Sequence, residues 1–227
     1  HGLVQVNNRP QWHTVRGGAR HYVEKIIARI QDKRLNTPVR RIEREAHGVS
    51  IHTASGSERF DAVVLAIPHP QAQALLATTP KGEALAKKTT KVSVAPCWTL
   101  MLAFPQAVQP GLTTLGPQWN AARSTHHRIA WLTRESSKPG RGRVERWTVQ
   151  ASAAWSQEHL QDSPARVQAK LIKAFSEITG IRAEPAHAEV HRWMYAKTEQ
   201  PLGHSHLLDA KAGLGVCGDW CLGHRVE

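Results

Sequence analysis

The sequence predicts an α+β fold, in which an antiparallel or mixed sheet with flanking helices is accompanied by a smaller group of strands. The chain has 227 residues, 41% of them hydrophobic, which is enough to bury one sizeable core or two small ones. Short runs rich in β-branched residues recur along it, and segments with apolar residues at helical spacing lie between them. These observations favour a folded body that contains both strands and helices.

The first third of the chain predicts a helix, a hairpin and a strand. Residues 16–30 carry apolar side chains at helical spacing after two glycines, which predicts an amphipathic helix. Residues 37–45 and 48–54 have a period nearer two and predict a hairpin. The continuous apolar run of residues 60–67 is typical of a strand buried on both faces, and a helix is expected over 71–78.

The rest of the chain predicts a second sheet and one well-marked helix. Strand-like apolar runs cover residues 92–104, 128–136 and 146–153, and Pro/Gly-rich loops separate them, which favours antiparallel pairing. Residues 162–180 have a serine N-cap, a proline at the first helical position and a closing glycine, so they predict a helix. Residues 188–196 predict another strand, and a last short strand and turn close the chain.

The charge of the chain is strongly basic. A formal charge of +12 suits nucleic acid, an anionic membrane or an anionic small ligand. Thirty Lys and Arg with eight Trp also fit a non-enzymatic nucleic-acid-binding module, but the charges are scattered and the tryptophans mostly lie in strand-like runs. No stretch approaches the roughly 20 apolar residues of a membrane helix, and no signal pattern opens the chain. We therefore expect neither nucleic acid nor a membrane as partner.

Cysteine and histidine patterns predict no metal site. Three cysteines are an odd number, which favours free thiols and a cytoplasmic location. Cys217 and Cys221 have histidines nearby, but zinc sites favour a two-residue gap between paired cysteines. In "STHHR", His126 and His127 are expected to face opposite ways on a strand, as surface residues.

The closing stretch, "GLGVCGDWCLGHRVE" (213–227), carries the most specific pattern in the chain. Gly218 follows a short apolar strand and lets the backbone turn sharply and approach a ligand. Asp219 beside it can accept hydrogen bonds from ribityl or ribose hydroxyls. The alternative is an ordinary type I turn with an Asp cap.

This stretch resembles the final flavin-binding segment of the FAD-dependent amine-oxidase-like oxidoreductases, in particular the renalase-like branch. Residues 60–76 resemble the strand-to-proline crossover of that superfamily, and residues 94–104 its first long substrate strand. Residues 190–196 match a later strand. The opening, over residues 9–43, is similar to a sister group of bacterial FAD-binding oxidoreductases.

The resemblance implies a division of the chain into three parts. Residues 1–68 hold partial segments of an FAD-binding domain, 69–205 a substrate domain, and 206–227 the C-terminal FAD-binding strand and turn. No strand is followed by the Gly-x-Gly-x-x-Gly pattern of a dinucleotide-binding unit. The chain also ends where the resemblance places a further helix. We therefore expect a fragment of a larger flavoprotein.

The resemblance also implies which residues bind FAD. The backbone of Val39 meets the adenine, Asp219 reaches the ribityl or diphosphate part, and the amides of residues 225–227 meet the pyrimidine edge of the flavin. For Val39 the alternative is an ordinary core valine. The full implied set is Val39, Ala66, Ile67, Pro68, Gly218, Asp219, Trp220, Arg225, Val226 and Glu227.

Three further residues border the implied substrate pocket. They are Thr99, Trp193 and Tyr195, the last two near the flavin ring; the alternative for these aromatics is packing in a core. Members of the superfamily that oxidise amines carry a lysine on the first long substrate strand, whereas residues 96–99 here read Pro-Cys-Trp-Thr and Lys91 lies too far back.

The missing lysine favours the renalase-like branch over amine oxidation. Its implied reaction is hydride transfer from a dihydronicotinamide dinucleotide to FAD, followed by reoxidation with O2 to give H2O2. This chemistry is centred on the flavin and requires no protein acid or base, so no catalytic residue is assigned. A flavin amine oxidase acting on another amine and the nucleic-acid-binding module stay open as alternatives.

Overall fold

The structure is a computed structural model, and it describes residues 3–4, 19–105, 116–117, 119–142 and 144–223, with the backbone alone for 3, 4 and 19. The helices are α1 (Ala19–Ile27), α2 (His69–Leu76), α3 (Pro80–Lys87), α4 (Ala153–Glu158), α5 (Pro164–Thr179) and α6 (Asp219–Leu222). The strands are β1 (Leu3–Val4), β2 (Arg41–Arg44), β3 (Val49–Thr53), β4 (Gly56–Phe60), β5 (Val63–Leu65), β6 (Ser93–Phe104), β7 (Ala121–Ser124), β8 (Ile129–Arg134), β9 (Glu145–Ala151), β10 (His187–Gln200), β11 (His206–Asp209) and β12 (Leu214–Cys217). The predicted α+β fold is confirmed.

The chain divides into two compact units. The first unit comprises His1–Gln31 with Pro96–Met194, and the second unit comprises Asp32–Ala95 with Tyr195–Glu227. Each unit has its own hydrophobic core. Within the described ranges, no helix combines the length and the apolar character that a bilayer crossing requires.

The first unit is built on a six-stranded sheet with the order β1-β7-β8-β9-β6-β10. The pairs β8·β9 and β9·β6 are antiparallel, as the sequence predicts, and β7·β8 is antiparallel as well. Alternate residues of the central strands are buried, and α5 covers them. The sequence did not predict the short strand β7 or the helix α4.

Helix α5 forms where its capping residues predict. The Ser163 hydroxyl accepts a hydrogen bond from the Arg166 amide, Pro164 occupies the first helical position, and Gly180 ends the helix at φ 75°. This combination satisfies free amides at one end and permits the left-handed residue at the other. The helix buries Val167, Leu171, Ala174, Phe175 and Thr179.

Helix α1 is amphipathic as predicted, but none of the described residues covers its apolar face. Tyr22, Val23, Ile26 and Ile30 are each about half exposed. Apolar periodicity therefore identifies the helix without identifying what packs on it.

The histidine pair of "STHHR" differs from its prediction. His126 and His127 lie in the turn between β7 and β8, and their rings stack with centroids 4.5 Å apart. The alternation that would separate them applies only to extended backbone. His126 Nε2 also lies 3.1 Å from Glu177 Oε2.

The second unit contains two three-stranded sheets. The predicted hairpin forms as β2 and β3, and β4 extends it into the sheet β2-β3-β4. The sequence misses β4 because its residues, Gly-Ser-Glu-Arg-Phe, are all exposed and show no alternation. The other sheet has the order β11-β12-β5, in which β12 is parallel to β5 and antiparallel to β11.

Strand β5 corrects the expectation of burial on both faces. Val63 and Leu65 are buried, but Val64 between them is 60% exposed. Leu208 and Gly215 lie in register with Val64 across the sheet, and Leu208 is 59% exposed. The continuous apolar run does form a strand with a parallel partner. One face of that strand, however, is not covered by any of the described residues.

Candidate functional site

The candidate site lies where two parallel strands of the second unit end. Strand β5 leads through residues 66–68 into α2, and β12 leads through Gly218 into α6. Because β5 and β12 are parallel neighbours, both connections leave the same edge of the sheet. In open sheets with parallel strands, ligands bind in the crevice outside this carboxyl edge.

Trp220 holds the two connections together. Its side chain is 1% exposed, and its indole Nε1 donates a hydrogen bond of 3.0 Å to the Ile67 carbonyl. The backbone N–H of Leu202 donates 3.0 Å to the Trp220 carbonyl, which ties the turn to a third segment. These bonds give the edge of the cavity a defined shape.

Gly218 is required by this arrangement. Its φ of 153° lies in a region that side-chain-bearing residues rarely adopt, and a Cβ placed on it would lie 2.8 Å from Trp220 Nε1. The glycine therefore permits both the turn of the chain and the close packing of the indole.

These connections border a cavity of about 230 Å3. From the residues implied to bind FAD or substrate, the structure brings together Ala66, Ile67, Pro68, Gly218, Asp219, Trp220 and Tyr195. Asp219 is exposed and supplies a carboxylate to the rim, and Tyr195 is 38% exposed. The cavity thus has a mixed lining, in which polar groups are as prominent as apolar ones.

His69 is a cavity residue that the sequence analysis missed. It is 5% exposed at the first position of α2, and its ring lies 5.2 Å from the Trp220 ring between centroids. His69 Nε2 lies 3.0 Å from the Thr89 carbonyl oxygen and 3.2 Å from the Thr89 hydroxyl. Burial lowers the pKa of His69, against a smaller raising effect of the Thr89 carbonyl, which favours the neutral ring.

The missed residues carried only a weak sequence signal. His69 lies in Pro-His-Pro after an apolar strand. The prolines on either side explain the crossover by themselves, so the histidine does not stand out. Thr198 and Val94 also line the cavity, from strands on which the sequence analysis assigned other residues to the implied pocket. Their positions depend on the path of the chain in space.

Val39 lines a second cavity in the same unit. This cavity has a volume of about 610 Å3 and is mostly apolar, with Ile42, Ile51 and Leu75 among its walls. It shares Ala66 and Ile67 with the first cavity, so the two adjoin along the segment between β5 and α2. Val39 is half-buried there and its implied role toward adenine stays a prediction.

Thr99 and Trp193 belong to the first unit. Thr99 is 6% exposed, and its hydroxyl lies 3.7 Å from the Cys97 thiol, whose pKa is raised by burial. Trp193 is 53% exposed, and its ring packs edge-on against His191 at 4.3 Å between centroids. Neither Trp193 nor Tyr195 is therefore a core aromatic among the described residues.

Three implied cofactor residues, Arg225, Val226 and Glu227, lie outside the described residues. Within 3–4, 19–105, 116–117, 119–142 and 144–223, no group of three or more His, Cys, Asp or Glu side chains is placed to hold a metal ion.

The fold is similar to that of solved oxidases and oxidoreductases. A protoporphyrinogen oxidase-like protein from Exiguobacterium sp. 255-15 shares 20% identity over 91% of this chain and 47% of its own, with a TM-score of 0.71. The cyclohexylamine oxidase of Brevibacterium oxydans IH-35A shares 16% identity over 90% of this chain and 47% of its own, with a TM-score of 0.64. An oxidoreductase from Methanosarcina mazei shares 17% identity over 90% of this chain and 50% of its own, with a TM-score of 0.59. The chain thus spans about half the length of these structures.

The fold of the chain is the one seen in these oxidases and oxidoreductases. More specifically, the chain belongs to the family of flavin-containing amine oxidoreductases, whose profile matches residues 3–215. The predicted superfamily and its FAD cofactor are thereby confirmed. The renalase-like branch stays a prediction.

Proposed function

We propose that this chain contributes part of an FAD-binding site and acts in the oxidation of a small-molecule substrate. The observation that carries the proposal is the convergence of residues 66–69 and 218–220 on one cavity at the carboxyl edge of β5 and β12. Family membership supports FAD as the group that this edge receives. Bound FAD would supply a two-electron acceptor.

The residues present fit such a cofactor. The glycine at 218 permits the turn of the chain and the packing of the Trp220 indole, and together these shape the edge of the cavity. The Asp219 carboxylate is exposed at the rim and can accept hydrogen bonds from hydroxyl groups. Trp220 and Ile67, joined by their hydrogen bond, hold the two sides of the cavity in place.

Replacement of Asp219 tests the site. Asp219→Asn removes the charge but keeps the shape, and we expect the Kd for FAD to rise about tenfold to hundredfold, because hydrogen bonds to a charged acceptor are worth about 1.5–3 kcal/mol. Fluorescence quenching of FAD on titration with the chain measures this. Asp61→Asn is the matched control, since Asp61 is exposed in the same unit and borders none of the cavities described above. Equal Kd values for both variants would contradict the role of Asp219.

We further propose renalase-like chemistry, in which a dihydronicotinamide dinucleotide is the substrate and O2 the electron acceptor. The sequence around Thr99 supports it, because Pro96, Cys97 and Trp98 leave no lysine on this part of β6. The net charge of +12 favours a substrate that carries a diphosphate. Three free cysteines support a reducing, cytoplasmic location.

Peroxide release distinguishes the substrates. With FAD and air, dihydronicotinamide dinucleotide isomers are expected to give H2O2, whereas cyclohexylamine, the substrate that names one of the similar oxidases, is not. Peroxide from an amine alone would replace the renalase-like proposal with amine oxidation. Tight FAD binding without peroxide from either class would contradict the oxidase proposal and leave the FAD site intact.

A further inference from the structure

The buried ring of His69 has a defined protonation pattern that follows from its neighbours. Its Nε2 faces the Thr89 carbonyl, which can only accept. The Thr89 hydroxyl donates its single proton to the Ala86 carbonyl at 2.8 Å and accepts from the Gln73 amide at 3.2 Å. Neither group can donate to His69, so Nε2 carries the proton.

The other ring nitrogen, Nδ1, is therefore a lone-pair acceptor. No described residue donates a hydrogen bond to it. Nδ1 also keeps some solvent exposure. Among the described residues, the fully buried side-chain nitrogen or oxygen that lacks a hydrogen-bond partner is Nε1 of Trp147, and not Nδ1 of His69. The ring lines the cavity together with Asp219, Tyr195 and Thr198.

The orientation of the ring is set on two sides. The Thr89 bond holds Nε2, and the Trp220 indole packs against the ring at an interplanar angle of 59°. Trp220 is itself held by its hydrogen bond to Ile67. A ring restrained in this way can accept a hydrogen bond from a ligand in the adjoining cavity with little loss of rotamer freedom.

We propose that His69 Nδ1 accepts a hydrogen bond from an N–H or O–H donor of the flavin half of FAD, which makes His69 a residue that binds and positions the cofactor. This inference rests on the proposed FAD site and adds to it a specific neutral acceptor. The donor is either the ring N–H of the isoalloxazine or a ribityl hydroxyl. A neutral lone-pair acceptor can bind either of these donors, but it cannot bind an anionic oxygen, which has no proton to donate.

Two amide variants separate the roles of the two ring nitrogens. His69→Gln places an amide donor near the position of Nε2 and so keeps the bond to Thr89, but it lacks the acceptor at Nδ1. His69→Asn places its carbonyl oxygen near Nδ1 and loses the bond to Thr89. We expect H69Q to keep the unfolding midpoint of the parent chain while its Kd for FAD rises about tenfold, the effect of about 1.4 kcal/mol. H69N is expected to unfold at a lower midpoint and to keep an FAD affinity closer to that of the parent chain.

Nitrogen-15 NMR of the His69 ring supplies a readout that a merely structural role would not change. In the free chain near neutral pH we expect a protonated Nε2 and a bare Nδ1, and the Nδ1 resonance should shift when riboflavin is added. A shift with lumiflavin as well, which has the ring N–H and no ribityl chain, assigns the donor to the ring; a shift with riboflavin alone assigns it to a hydroxyl.

Failure of this inference differs from failure of the proposed function. If the parent chain binds FAD and H69Q binds it equally well, the acceptor role is wrong and the FAD site stands. A protonated Nδ1 in the free chain overturns the inference without any ligand. If the parent chain binds no FAD, the proposed function and this inference are both overturned.

Discussion

Gly218 shows how one residue without a side chain holds the candidate site together. A methyl group at this position would lie 2.8 Å from Trp220 Nε1 and 3.0 Å from its Cδ1. The indole could yield only by losing its bond to the Ile67 carbonyl. The positions of both connections around the cavity therefore depend on this residue.

Gly218→Ala is expected to lower the free energy of unfolding by more than the cost of backbone strain alone. Gly223 is a matched control, because it has φ 142° at the other end of α6 and a Cβ there meets nothing within 4 Å. Strain alone costs about 1–3 kcal/mol at each site, and steric overlap adds about 1–3 kcal/mol at 218. Urea unfolding of both variants measures the difference, and equal losses would show that the Trp220 contact carries no energy.

At the residue scale, the sequence predicts which chemistry is present but not all of the residues that surround it. Gly218, Asp219 and Trp220 are adjacent in the chain, so their motif is visible without a structure. His69, Thr198 and Val94 reach the same cavity from separate segments. Their roles follow from proximity in space, which one sequence does not record.

Helix α5 shows the opposite case, an element whose limits are local. Its N-cap, first-turn proline and closing glycine are all within the predicted range, and each acts on backbone groups next to it. Strand β4 has no such signal, because its pairing with β3 and not its side chains makes it a strand. The capped helix was therefore predictable, whereas this strand, which has no side-chain pattern of its own, was not.

Ser163→Ala is expected to lower the free energy of unfolding by about 1 kcal/mol, because the Arg166 amide loses its acceptor at the helix start. Ser176→Ala in the same helix is the control; it removes no hydrogen bond between described side chains, and alanine has the higher helix propensity. Thermal unfolding of the two variants provides the comparison. A stable S163A chain would mean that the cap contributes nothing.

At the scale of the whole molecule, charge is the property with the clearest consequence. A formal charge of +12 on 227 residues repels itself more strongly in a compact state than in an unfolded one. Salt shortens the range of that repulsion, from about 30 Å at 0.01 M to about 8 Å at 0.15 M.

The free energy of unfolding is therefore expected to rise with NaCl over this range. Replacing the exposed Lys81, Lys88 and Lys91 by Gln lowers the formal charge from +12 to +9 and should reduce the gain. Unfolding by urea at each NaCl concentration measures this free energy, because urea, unlike guanidinium chloride, adds no salt. A stability that is independent of salt, or an equal gain in the triple variant, would count against overall repulsion.

By itself, the sequence determined the α+β class, the antiparallel sheet, the capped helix α5 and the superfamily, because periodicity, capping and adjacent motif residues are local. The tertiary structure alone decided that β12 lies parallel to β5, that residues 66–69 and 218–220 share one cavity, and that His69 lines it with its Nε2 bound to Thr89. These features join segments about 150 residues apart, as in the bond from Trp220 to Ile67, and such contacts arise from packing that no single segment encodes.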